Sequence, residues 1–445
     1  MKILSRNPIL LLIILGVFSI LTLSIKLDVV GYVIDSDGLG YYAHLRSAII
    51  DGDLCYANEF LEYNQFDHGV LNPYKCTVTN HLPNKYYLGP ALLWLPFFIL
   101  AHTLTILSNC VGIALIPDGY SILYQIFIGL GSIIYGLMGL IFIYQILLRF
   151  FCRNEAILAT FFIFIATNVI YYITNEPTIS HSMSLFAVSM FAYIWIRDIG
   201  NRTKKSIILL GGAAGLMTLI RPQNVLFVVL PIIEWLDLFK KGKLGFFSSL
   251  RERIVEVGLF CVVYLIILVP QFIVWKILYG KFIVYSYKGE NFNFAHPRLF
   301  DSLFSARHGL IYWTPIILVA LIGVIFFIRK QPKIGSIFFL TFVMQWYLNA
   351  SWYCWWFGCS FGGRAYINCS FIFAIGLAMI FTIIKQKLRV VFLLLVLILT
   401  GWNLLFIAQY SFSILPHDQP VELHQVLTNL GNTINMFWKL LQELI

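Results

Sequence analysis

The sequence predicts an all-α protein, a polytopic transmembrane helical bundle of about eleven spans plus one re-entrant or interfacial segment. Three observations carry this. The 445-residue chain is 60% hydrophobic and 12% charged, with mean hydropathy +0.83, which leaves too little polar surface for an ordinary water-soluble globule. Its apolar residues collect into runs of about 17–25, the length at which a helix crosses a hydrocarbon core. Its basic residues sit in short clusters between those runs, which is how membrane orientation is set and not how a nucleic-acid face looks. The formal charge of +10 therefore points to membrane lipids and away from nucleic acid.

The first run, Pro8 to Ile25, follows Lys2 and Arg6 without a small-residue cleavage pattern, so it reads as a retained signal anchor. Further spans are expected near 121–148, 155–174, 181–197, 205–220, 223–239, 254–275, 309–328, 335–350, 366–384 and 390–410. Leu88 to Leu107 is apolar enough to cross but contains Pro90 and Pro96. If it crosses alone, the Arg149–Arg153 cluster and every later one change sides. If it is re-entrant or interfacial, all the basic clusters share one side, and the positive-inside bias favours that arrangement. The amino terminus is then cytoplasmic. Loop 27–120, the turns at 175–180 and 221–224, and loops 276–308 and 351–365 are external. Residues 1–410 form the bundle. Residues 411–445 form a short external amphipathic segment, with Val426, Leu430, Ile434, Phe437 and Leu441 at helical spacing.

Cys55 and Cys76 share the first loop, and Cys354 and Cys359 a later one, so each pair could close a disulfide in an oxidising compartment. No CxxC pair or Cys/His cluster has zinc-ligand spacing. A divalent metal has no ligand motif here, and no other cofactor is indicated.

Five polar groups are expected to converge on the external face. Asp35 and Asp37 open a polar loop just past the first span, where carboxylates are costly unless solvated for a purpose. Gly38-Leu39-Gly40-Tyr41-Tyr42 follows, and then Ala43 to Ile50, an amphipathic stretch that would lie along the membrane surface. Asp37 is the first candidate base, with Asp35 the alternative acid and Tyr41 a candidate sugar contact; the bland alternative is a solvated helix cap. Next comes the run from Asn80 to Pro90, containing His81 and Lys85. A lysine at the mouth of an apolar segment suits a phosphate whose lipid tail lies in the membrane, or else it snorkels. The third group, Thr174 to His181, offers Glu176 and His181 to orient a hydroxyl. The fourth, Arg221-Pro222-Gln223-Asn224, splits a long apolar run. Arg221 is a candidate phosphate ligand and Asn224 a candidate acceptor contact. In the fifth, Ser351 to Tyr366, Trp352, Trp355 and Trp356 exceed the usual interfacial belt, and Arg364 follows a glycine-rich turn. Aromatic faces pack on sugar rings, and a guanidinium suits phosphate. The loop from Lys276 to Trp313 adds Tyr285, Tyr287, Lys288, Glu290, His296, Arg298, Arg307 and His308 without assignable roles.

The chain has no GxxxxGK[ST], no GxGxxG after a strand and no HExxH, so the energy for any chemistry would arrive in an activated lipid. Asp37 stands four before Tyr41, with Ala43 nearby, although Gly38 occupies the place of a second acid. Lys85-Tyr86-Tyr87-Leu88-Gly89-Pro90-Ala91-Leu92-Leu93-Trp94 and Ser360-Phe361-Gly362-Gly363-Arg364-Ala365-Tyr366 complete the pattern. Together these resemble the GT-C superfamily of integral-membrane glycosyltransferases, which includes protein O-mannosyltransferases, lipid A aminoarabinose transferases and mannosyltransferase-like bacterial proteins. The resemblance implies a helical bundle with catalysis on its external face, in a bacterial inner membrane. It also implies a polyprenyl-phosphate-linked sugar as donor and a glycan, lipid or protein acceptor. The rival reading is a transporter or flippase of a lipid-linked glycan or small solute. Against it, no internal repeat is evident and mid-span charge is sparse.

Overall fold

The computed structural model describes residues 8–62, 76–240 and 246–444. Among the described residues every regular element is helical, and the one β feature is an isolated antiparallel bridge between Phe292 and Trp352. In chain order the helices are α1 (Pro8–Val30), α2 (Ser36–Arg46), α3 (Gly89–Cys110), α4 (Ile122–Leu147), α5 (Arg153–Ile165), α6 (Val169–Thr174), α7 (His181–Arg197), α8 (Lys204–Ile220), α9 (Val229–Lys240) and α10 (Phe246–Tyr279). They continue with α11 (Leu299–Phe304), α12 (Leu310–Trp313), α13 (Ile316–Lys330), α14 (Pro332–Ser351), α15 (Ser370–Ile383), α16 (Arg389–Ser411), α17 (Leu423–Thr428) and α18 (Leu430–Leu444).

Among the described residues, six helical segments are long and apolar enough to cross a membrane: Leu12–Val30, Gly89–Cys110, Ile122–Leu147, Arg253–Tyr279, Arg364–Ile383 and Gln386–Ser411. The protein is an all-helical membrane protein. Helices also occupy the other predicted positions, and apart from the 20-residue α14 they are shorter. α7 and α8 have 17 residues each, about 25 Å at 1.5 Å per residue. The predicted spans 155–174, 223–239 and 309–328 are each interrupted, at Ala166–Asn168, by the 3₁₀ turn Pro222–Val228, and at Thr314–Pro315. Prolines account for the last two, since each removes a backbone donor and disfavours helix at the residue before it.

Two local expectations change. α3 runs unbroken through Pro96, with Pro90 in its first turn where no N–H is needed, so it lacks the reversal a re-entrant segment requires. Of the stretch Ala43 to Ile50, expected along the membrane surface, Ala43 to Ser47 are instead enclosed by protein, while Ala48 and Ile49 are exposed. The reason is that its polar side chains find partners. His44 bonds Tyr56 Oη (2.7 Å) and the Tyr86 carbonyl (3.0 Å). Arg46 bonds Glu59 (2.8 Å) and the Asp118 carbonyl (2.8 Å). The first half of an amphipathic sequence is thereby buried together with its polar side chains.

The chain divides into two compact units, one of residues 12–142 and 176–289, the other of 1–11, 143–175 and 290–445. In the first, which carries Asp37, α8 packs against α7 and α10, and α2 against α3. In the second, which carries Arg364, α13 packs closely on α15. Gly323 faces the backbone of Gly376, and Gly376 faces that of Ala320, so a Cβ at either glycine would overlap main chain. In the same unit Asn403 of α16 donates to the carbonyls of Ile165 (3.3 Å) and Thr167 (3.1 Å), satisfying groups freed by the break after α5. The segment after Val421 forms two helices meeting at Asn429, and Phe437 of α18 packs on Phe412 (5.2 Å). All eight cysteines are free thiols, so neither proposed pair is a disulfide.

Candidate functional site

The predicted residues divide between the units. Asp35, Asp37, Tyr41, His81, Lys85, Glu176, His181, Arg221 and Asn224 lie in the first, and Arg364, Trp352, Trp355 and Trp356 in the second.

In the first unit, Asp35 is the N-cap residue of α2 by backbone geometry, yet its side chain makes no capping bond. It turns to Lys26 of α1, with Nζ–Oδ2 at 3.3 Å, and Lys26 also reaches Glu176 Oε1 at 3.4 Å. Lys26, nine residues before Asp35, was not foreseen; a lysine closing an otherwise apolar span is its signal. Glu176 titrates at about 7: burial raises it, Asp35 adds to the rise, and Lys26 opposes it. Asp35 and Glu176 thus hold a cation inside the protein, which is a different task from the base and hydroxyl-orienting roles expected of them.

Asp37 sits in the first turn of α2, and its Oδ1 accepts from Tyr86 Oη at 2.6 Å. Burial pushes the Tyr86 phenol well above its ordinary range, and the charge of Asp37 pushes it further, so Tyr86 remains a donor. Its position is fixed by the chain around it. Tyr86 N–H donates to Asn84 Oδ1 (3.0 Å), Asn84 Nδ2 donates to the Gly40 carbonyl (2.7 Å), and Ser286 Oγ donates to the Lys85 carbonyl (2.8 Å). Gly40 lies so close to the Tyr86 ring that a Cβ there would overlap it. This explains why the Gly38-Leu39-Gly40 run is needed on a helix, where glycine otherwise destabilises.

The cations surround the same aromatic group. Lys85 Nζ stands 5.5 Å from the centroids of both Tyr86 and Tyr287, within cation–π range. Tyr41 packs on Tyr86 (4.8 Å) and its hydroxyl meets Ser180 Oγ at 3.0 Å. Arg221 leaves α8 in extended conformation, and its Nη1 lies 3.2 and 3.1 Å from the two nitrogens of the buried His181 ring and 3.4 Å from Ser180 Oγ. Near-equal distances to both nitrogens place the guanidinium against the imidazole and not along one lone pair. The Gln223 amide oxygen accepts from Arg221 Nη2 (2.6 Å) and Nε (2.7 Å) in the orientation this contact requires. Tyr287 feels both charges: burial raises its phenol above the ordinary range, Asp37 raises it further, and Arg221 opposes them. Carboxylate, lysine and guanidinium are therefore grouped about Tyr86 and Tyr287.

Two predicted residues lie outside that group of contacts. Asn224 is fully buried, and its Nδ2 bonds Ser184 Oγ and the Met217 carbonyl, both at 2.9 Å, which braces α7 and α8. His81 closes its own turn through Thr79 Oγ1 at 3.1 Å. In the second unit, Arg364 opens a 3₁₀ turn after Gly362 and Gly363. Trp352 packs on Phe292 (4.6 Å), and Trp355 stands against Trp356 (5.7 Å). Tyr86, Tyr287 and Gln223 stood within the quoted segments but received no role from sequence, because a tyrosine or glutamine in a loop has no spacing signature.

Among the described residues, no cluster of three or more His, Cys, Asp or Glu is placed to hold a metal. No protein-family model and no curated protein matches this chain.

Proposed function

We propose that the protein is a membrane glycosyltransferase that moves a sugar from a polyprenyl-phosphate-linked donor to an acceptor hydroxyl. The observation that carries this reading is the grouping of Asp37, Lys85 and Arg221 about the buried Tyr86 and the half-buried Tyr287, with Tyr86 bonded to the carboxylate at 2.6 Å. A carboxylate fixed beside two held cations is what transfer from a phosphate-linked sugar requires.

Asp37 takes the proton of the acceptor hydroxyl as its oxygen attacks the anomeric carbon. The bond from that carbon to the phosphate oxygen breaks, and polyprenyl phosphate leaves with the bonding pair. Lys85 and Arg221 stabilise the negative charge that grows on the leaving phosphate, an effect that strengthens as water is excluded. A single displacement inverts the anomeric centre. Tyr86 holds the carboxylate oxygen, and Gln223 with His181 holds the guanidinium, so neither group reorganises during the reaction.

Mass spectrometry of surface glycolipids, polysaccharides and glycoproteins from cells with wild-type protein or Asp37→Asn tests this. The expected result is a sugar residue that disappears in the variant while the protein still reaches the membrane. Unchanged glycans with the variant would remove the assignment.

A further inference from the structure

The second unit carries a polar aromatic corner that the transfer chemistry leaves unused. Arg307, in the turn after α11, stacks its guanidinium 3.8 Å above the ring of Trp356. Its Nη2 donates to Asp418 Oδ1 at 3.0 Å, and Trp356 Nε1 donates to the same oxygen at 2.8 Å. Trp355 stands nearly perpendicular to Trp356, at 78° and 5.7 Å between centroids. The corner is anchored from below. His417, next to Asp418, stacks on Tyr410 at 4.2 Å, and its carbonyl accepts from the buried His308 at 3.0 Å. His308, with φ 58°, and Phe357, with φ 62°, hold left-handed backbone on either side.

The surroundings say what would fit. An indole that only marks the membrane interface does not need its N–H tied to a carboxylate and an ion-paired arginine laid on its face. Both bonds to Asp418 fall on Oδ1. Among the described residues nothing bonds Oδ2, on a side chain 48% exposed. Both tryptophans are half-buried, so part of each ring remains open. The result is two indole walls at a right angle with an outward carboxylate oxygen at their edge.

We propose that this corner binds a neutral pyranose ring. The apolar C–H face of the sugar packs on the indoles, and its hydroxyls donate to Asp418 Oδ2. Arg307 acts as a positioning residue, holding Trp356 and Asp418 in register.

The test uses the full chain in detergent or nanodiscs, titrated with neutral oligosaccharides of gluco, manno and galacto configuration, read by tryptophan fluorescence and saturation-transfer NMR. At least one series should saturate at about 1 mM or below. Trp355→Ala and Asp418→Asn should each weaken it about tenfold, the loss of one good contact, while Trp355→Phe retains most of the binding. Thermal melts report whether each variant is folded. Saturation by none of the three series, or equal affinity in the folded variants, would overturn the proposal. So would strong quenching of these tryptophans by brominated lipid without any response to sugar. The readout is binding, so its failure leaves the transfer reading at Asp37 untouched, and the reverse.

Discussion

Tyr86 donates its phenol hydrogen to Asp37 Oδ1 across 2.6 Å, joining the turn before α3 to the first turn of α2. A hydrogen bond to a charged group contributes about 1.5–3 kcal/mol. Here it fixes the direction of the carboxylate, and the pairing of Asn84 with the Gly40 carbonyl keeps it in place.

Tyr86→Phe keeps the ring that packs on Tyr41 and removes only the donor. Sugar transfer should fall about tenfold or more, with the melting temperature little changed. Transfer assays in membranes beside a thermal melt measure both. Undiminished transfer would show that the phenol does not position Asp37.

Gly40→Ala places a methyl group against the Tyr86 ring. Overpacking of this kind costs about 1–3 kcal/mol, so the variant should melt lower and transfer poorly. Adding Tyr86→Ala should cost less stability in the Gly40→Ala background than in wild type, without restoring transfer. A double-mutant cycle separates space from chemistry.

Arg221→Lys keeps the charge but loses the planar fork that meets Gln223 and the His181 ring. Transfer should fall about tenfold or more, because a flexible ammonium cannot reproduce those contacts. Gln223→Leu should weaken transfer in the same direction by loosening the guanidinium. Wild-type rates in either would place the leaving phosphate elsewhere.

Glu176 titrates at about 7 in the folded protein against an ordinary 4.5. A carboxyl raised on folding binds its proton more tightly folded than unfolded, so its contribution is present below about pH 4.5 and is lost as pH rises toward 7. The full shift corresponds to about 3 kcal/mol. The side chain is 24% exposed, so screening by solvent brings this nearer to about 1 kcal/mol. Wild-type melting temperature should decline from pH 5 to pH 8, and Glu176→Gln should flatten that decline. Parallel slopes would refute the shift.

Gly376→Val forces apart α13 and α15, whose backbones meet at Gly323 and Gly376. With no room for a side chain, the variant should fail to accumulate or melt far below wild type. Gly401→Val, at an open position on α16, is the control and should be near neutral.

The sequence by itself determined the all-helical membrane class and most of the places where helices lie, and it singled out Asp37, Lys85 and Arg221 as candidates. Apolar run length and the placement of proline and charge depend only on local chain order and on the thickness of a hydrocarbon layer. Tertiary structure decided what each residue touches. It made Asp35 and Glu176 partners of Lys26 and turned Asn224 inward as a brace. It enclosed Ala43 to Ser47, part of the amphipathic stretch expected on the membrane surface. It also supplied Tyr86, Tyr287 and Gln223 to the site. These outcomes rest on contacts between residues as much as 200 positions apart, such as Ser286 with Lys85. A buried polar group is stable only beside a partner, and the partner's place is set by packing of the whole unit.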